Sequence, residues 1–80
     1  SLGSPSPELQ YNLGLLFQST GDHPAAAECY RATLQHKPEF GDAMINLSHA
    51  LKAAGPEDEA RDVWSQAVAA NPGLVAQYPQ

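Results

Sequence analysis

The sequence predicts an all-α fold in which two tandem helix-turn-helix units stack as a short α-solenoid with an abbreviated C-terminal turn. Three observations predict it. A stretch recurs at a fixed offset of 34 residues, apolar residues follow helical spacing, and Gly and Pro interrupt the pattern. A fixed period of this length is typical of stacked repeats. The offset joins identical residues at five places: Asn12 and Asn46, Leu13 and Leu47, Gly21 and Gly55, Ala26 and Ala60, Pro38 and Pro72.

Each copy carries its features in one order: Leu, a small residue, a large apolar residue, Gly, Ala, an aromatic residue and Pro. In the first copy these are Leu13, Gly14, Phe17, Gly21, Ala26, Tyr30 and Pro38. This order resembles the tetratricopeptide repeat. It departs from the family at Gln10 and Met44, where Trp is frequent, and at Ser48, which replaces the small Gly14 of the first copy. The resemblance implies a right-handed solenoid that binds a protein or peptide.

The repeat divides the chain into four parts. Residues 1–6 are rich in Gly, Ser and Pro and are expected to be a flexible tail or an expression remnant. Residues 7–40 and 41–74 are the two repeat units, and residues 75–80 are the truncated start of a third unit or a short cap. A four-helix bundle with an accidental period is the alternative.

The first unit has clear start and stop signals. Ser6 precedes a proline and is the expected N-cap of the first helix, which Gly21 ends. Either Asp22 or His23 caps the second helix, and Pro38 prevents its continuation. The expected buried stripes are Leu9, Leu13, Leu16 and Phe17, then Ala26, Ala27, Tyr30, Thr33 and Leu34.

The second unit follows the same plan. Asp42 is the expected cap of the third helix, the Gly55-Pro56 pair breaks the chain, and Pro72 ends the fourth helix. Three acidic residues at 57–59 match the partial positive charge of a helix start, so we expect no metal there. The expected buried stripes are Met44, Leu47, Ala50 and Leu51, then Ala60, Val63, Trp64, Ala67 and Val68. Leu74 to Tyr78 imitates the start of a third unit.

Composition narrows the classes of partner. The chain has 80 residues with nine acidic and four basic residues, which argues against a nucleic-acid surface because phosphate binding needs clustered cations. No apolar run approaches the length of about 18 residues that a membrane helix needs, and no signal peptide is recognisable. The single cysteine excludes an internal disulfide. We expect no membrane partner and a cytoplasmic location.

Catalytic machinery is not recognisable. His23, His36 and His49 fall on an inter-helix turn, a helix end and a helix face, so they do not converge. Cys29 is about two helical turns from His36 and is expected to be a packing residue, matched by Val63 in the second unit. We therefore predict that the chain is not an enzyme and has no cofactor or metal.

Three functions remain open. The resemblance implies a groove for an extended peptide along the first helix of each unit; another alternative is a self-associating structural segment. The third is a substrate-selecting fragment of a larger enzyme, because the repeated Asn is similar to the repeats of O-linked N-acetylglucosamine transferases. The expected groove residues are Glu8, Tyr11, Asn12, Leu15, Ser19, Asp42, Ile45, Asn46, His49 and Lys52.

Two roles are open for Asn12 and Asn46. Each side-chain amide has one acceptor and two donors, which match the backbone of an extended peptide, so the pair could hold a ligand independently of its sequence. Alternatively, each Asn hydrogen-bonds a neighbouring helix and fixes the stacking of the units.

Overall fold

The computed structural model describes residues 6–77. Within them the chain is all-α, as predicted, and forms the five helices α1 (Pro7–Ser19), α2 (His23–His36), α3 (Gly41–Ala54), α4 (Glu57–Ala70) and α5 (Pro72–Val75). The pairs α1/α2 and α3/α4 are the first and second hairpins, α2 packs on α3, and α5 contacts α3 and α4. The expected flexible tail, apart from Ser6, and Tyr78 lie outside the described residues.

The predicted helix boundaries of the first hairpin are confirmed by its caps. The Ser6 hydroxyl accepts a hydrogen bond of 3.1 Å from the backbone N–H three residues on. Asp22, rather than His23, caps α2, because its carboxylate accepts from a first-turn N–H at 3.3 Å. Gly21 and Gly55 follow α1 and α3 with φ of 85° and 125°, a conformation that costs little only without a Cβ.

The predicted cap at Asp42 is wrong. The helix α3 begins at Gly41 with Phe40 in the N-cap position, and Asp42 already belongs to its first turn. Phe40 is held there by its ring, whose centroid lies 4.9 Å from that of Tyr11 on α1. The start of α3 therefore has a tertiary ring contact in place of a side-chain cap, and no local pattern encodes that contact.

The core contains two clusters of buried side chains. The larger joins the two hairpins through Ala26, Ala27, Tyr30, Leu47, Ala50, Leu51 and Ala60, and the smaller consists of Ile45, Ala67 and Val75. Tyr30 is completely buried. Its hydroxyl donates to the side-chain oxygen of Gln18 at 2.8 Å, which satisfies the polar end of the ring. The ring lies directly against Gly14, where an added Cβ would come within 2.6 Å of Tyr30 Cε1.

The buried stripe predicted for α1 is wrong for its leucines. Leu9, Leu13 and Leu16 are 56%, 40% and 59% exposed. The residues 34 positions later in α3 are buried because α2 covers them, whereas no described helix covers this face of α1. Val68 on α4 is likewise exposed. Five other residues of the predicted stripes are half-buried instead of buried: Phe17, Leu34, Met44, Val63 and Trp64.

We predict that Gly14→Ala destabilises the protein although alanine favours helix. The helix-propensity gain is about 1 kcal/mol, and the clash with an anchored, buried ring costs about 1–3 kcal/mol. Chemical denaturation should therefore show a net loss of stability. Gly73→Ala is the matched control, because a Cβ added there meets no atom within 4 Å. Equal stability of both variants would contradict the packing argument.

Candidate functional site

The helices α1 and α3 meet at a hydrogen bond between their side chains. Asn46 donates from Nδ2 to the Tyr11 hydroxyl at 3.0 Å and to the backbone carbonyl of Asp42 at 2.8 Å. The Tyr11 ring also packs on Tyr30, with 5.7 Å between the ring centroids. This contact brings expected groove residues of both units together. We call the surface formed there the first-helix surface: Tyr11, Asn12, Leu15 and Asn46.

The two repeated asparagines have different surroundings. Asn46 uses both amide hydrogens inside the chain, so only its carbonyl oxygen is left to accept a hydrogen bond from a ligand. Asn12 is exposed on α1. Asn46 therefore makes the inter-unit bond that a structural role requires, while Asn12 lies at the surface where a ligand can reach it.

The expected groove residue Ile45 is not accessible. It is completely buried and packs with Ala67 and Val75. A ligand could therefore reach Ile45 only if α4 and α5 moved away from it. Ile45 is therefore a core residue, and the prediction that it lines a groove is wrong.

The remaining groove residues differ in what they offer. Leu15 is 39% exposed, and Lys52 is exposed. Glu8 is exposed but forms an ion pair with Lys37, whose Nζ is 3.7 Å from its carboxylate. Ser19 is exposed, and its hydroxyl donates to a backbone carbonyl of its own helix. Asp42 is half-buried in the first turn of α3.

A pocket of about 630 Å³ opens between α3 and α4. We call it the α3/α4 pocket; it is lined by Ser48, His49, Lys52, Ala53, Glu57, Ala60, Arg61 and Trp64. The rings of His49 and Trp64 lie 5.9 Å apart at an angle of 33°. Of the expected groove residues, the structure therefore places His49 and Lys52 beside α4.

Burial lowers the pKa of His49 below its ordinary value of 6.5, and the nearby positive charge of Lys52 lowers it further. Both effects disfavour the imidazolium form. The pocket therefore contains a neutral imidazole at neutral pH, which can donate from one ring nitrogen and accept at the other.

The pocket residues Glu57, Arg61 and Trp64 are not among the groove residues expected from the sequence. A signal was present in the repeat itself. Arg61 stands 34 residues after Ala27, which is buried beneath α3. An arginine cannot replace a covered alanine without finding water or an anion. The substitution thus indicates that the corresponding face of α4 is open.

The described residues contain no cluster of three or more His, Cys, Asp or Glu side chains suited to a metal ion. Cys29 is buried, and burial, followed by the neighbouring Glu28, raises the pKa of its thiol. The thiol therefore stays protonated and serves in packing. None of the helices in residues 6–77 is both long and apolar enough to cross a membrane.

Comparisons with known proteins identify relatives. The tetratricopeptide repeat model matches residues 18–78. A tetratricopeptide repeat protein 8 from Caenorhabditis elegans is 34% identical over 58 residues, which cover 72% of this chain and 12% of that protein. A photosystem I assembly protein Ycf3 from Sorghum bicolor is 30% identical over 77 residues, covering 79% of this chain and 45% of that protein. The chain thus spans less than half the length of either relative. No solved structure matches significantly.

We predict that the hydrogen bond between Tyr11 and Asn46 contributes about 1 kcal/mol to stability. Tyr11→Phe keeps the ring but removes the hydroxyl, and Asn46→Ala removes the donor. In a double-mutant cycle followed by denaturation, the losses should be non-additive by about that amount. Asn12→Ala is the matched control and should change stability by only a few tenths of a kcal/mol. Additive losses would show that the bond contributes nothing.

We predict that His49 makes the folded protein less stable in mild acid. Because its folded pKa lies below the unfolded value, its contribution is present above about pH 6.5 and is lost as the pH falls through the folded pKa. Stability should be measured between about pH 7.5 and about pH 5.5, above most carboxylate titration. In the His49→Gln variant, stability should fall less steeply over this pH range. His36→Gln is the control for removing an exposed histidine. An unchanged slope in His49→Gln would refute this.

Proposed function

We propose, from the premise that this chain belongs to the tetratricopeptide repeat family, that it is a protein-interaction module holding an extended peptide across the first-helix surface. The match to the family supports the general role of protein binding. One relative is named as an assembly protein, which agrees with such a role. The peptide and its position are the finer part of the proposal.

The observation that carries the proposal is the bond from Asn46 to Tyr11. It joins α1 to α3, so the parts of this surface on the two helices are held together without a ligand. A surface already held in place spares a ligand part of the ordering cost of association. Leu15, one turn after Tyr11 on α1, is partly exposed beside this bond.

The chemistry of the surface defines the peptide. Asn12 can both donate to and accept from peptide backbone, and the Asn46 oxygen can accept a backbone N–H. Leu15 supplies an apolar contact for one side chain of the peptide. Few side chains contribute, so we expect an affinity on the order of 10 μM to 1 mM.

We predict that Leu15→Asp abolishes binding of peptides selected from a random displayed library, while Leu16→Asp leaves it intact. The two leucines are neighbours on α1, and both are partly exposed, so neither change should unfold the helix. They point in different directions because successive helical residues are about 100° apart. The test is isothermal titration calorimetry of both variants, with circular dichroism to check that each variant keeps its helicity. Equal weakening by both changes would contradict the proposed surface.

Self-association is a second candidate, because Leu9, Leu13 and Leu16 form an exposed apolar stripe on α1. Exposed contiguous apolar surface favours association with another protein surface. In this case the solution mass should rise with concentration, and Leu16→Asp should return it to that of a monomer. A constant monomer mass would eliminate this candidate and leave the peptide proposal unaffected.

A further inference from the structure

In the first hairpin, α3 covers a surface formed by α1 and α2. The α3/α4 pocket is the corresponding surface of the second hairpin. Moving its lining back by 34 residues gives Gly14, Leu15, Gln18, Ser19, His23, Ala26, Ala27 and Tyr30. The three α2 members of this set that lie deepest, Ala26, Ala27 and Tyr30, are at most 3% exposed. They belong to one cluster with Leu47, Ala50 and Leu51 of α3. The pocket therefore has the position at which a helix packs on the first hairpin.

The floor of the pocket is apolar, but its rim is not. Ala60 is buried and Trp64 half-buried, and Trp64 packs on the cluster formed by Ile45, Ala67 and Val75. Where the first hairpin has Leu15 and Ala27, the second has His49 and Arg61. The surface of the first hairpin packs against the apolar face of α3. The α3/α4 pocket instead suits a helix that also has polar side chains.

The charges of the chain indicate which polar groups a bound helix should have. The chain has four Lys and Arg residues and a net charge of −5. Arg31 pairs with Glu28 and Glu59, and Lys37 pairs with Glu8. The other two cations, Lys52 and Arg61, both line the pocket, and neither forms an ion pair with any carboxylate in residues 6–77. Glu57 on the rim offsets only part of this positive charge.

We propose that the α3/α4 pocket binds an acidic amphipathic helix of a partner protein. Apolar side chains of that helix lie on Ala60 and Trp64, and its flanking carboxylates pair with Lys52 and Arg61. The helices of a second copy are poorer occupants. The only carboxylate of α1, Glu8, already pairs with Lys37, and the acidic residues of α4 are concentrated in its first turn, while its apolar face already packs on α3. This site is separate from the peptide surface across α1 and α3.

The test uses three stapled helical peptides without tryptophan, each as long as α3, 14 residues. The first has leucines at helical spacing flanked by Glu, the second has Lys in place of every Glu, and the third carries the α1 sequence. Trp64 is the only tryptophan of the chain, so its fluorescence reports occupancy of the pocket directly. The Glu peptide should shift this fluorescence in a saturable way that weakens with salt, and the Lys peptide should not.

The decisive variant is Lys52→Gln with Arg61→Gln, which should weaken binding of the Glu peptide by about 10-fold. Gln35→Glu with Gln66→Glu is the matched control. It lowers the net charge equally at two exposed positions outside the pocket and should change binding much less. Leu15→Asp should leave the Glu peptide bound, which separates this proposal from the peptide surface.

Three outcomes would overturn the proposal. Equal binding of the Glu and Lys peptides would remove the charge argument. Equal weakening by the two double variants would show that only net charge matters. Tighter binding of the α1 peptide than of the Glu peptide would identify a second copy of this chain as the occupant.

Discussion

The fit of Tyr30 against Gly14 is the contact on which the rest of the structure depends. The ring is completely buried, and it reaches that position only because α1 presents hydrogen in place of a side chain. Its hydroxyl is satisfied by Gln18, so no polar group is left unpaired in the core. The same ring packs on Tyr11, which holds Asn46 of α3. One side chain thus joins the closure of the first hairpin to the stacking of the second.

Local signals predicted the fold because they act within one helix. Ser6 and Asp22 cap helices through N–H groups three residues away, and Gly21 takes a conformation open to glycine. Burial was predicted less well, because it depends on which elements come together. Leu13 and Leu47 are the same residue at equivalent positions, yet only Leu47 is covered. Ile45 is buried because Ala67 of α4 and Val75 of α5 pack on it, and the sequence does not show that α5 closes over this side of α3.

Two of the four Lys and Arg side chains form ion pairs within the part of the chain that the structure describes, and the other two do not. Arg31 links α2 to α4 through Glu59, and Lys37 links the end of α2 to the start of α1. Exposed pairs of this kind contribute roughly 0–1 kcal/mol each, so packing provides most of the stability. Their more important effect is on the field of the surface. They neutralise two cations and leave Lys52 and Arg61 as the local positive charge on an acidic protein.

An internal repeat offers a physical comparison that one sequence alone otherwise lacks. Where the 34-residue offset preserves the residue, as at Gly21 and Gly55, both copies have the same backbone requirement, a positive φ. Where it exchanges covered apolar residues for polar ones, the second copy faces different surroundings. Ala27 and Arg61 differ in this way, and Leu15 and His49 change from apolar to polar. Both exchanges fall on the lining of one pocket. Since charge at a covered helix seat is costly unless something pairs with it, the exchanges favour a polar occupant over another apolar helix.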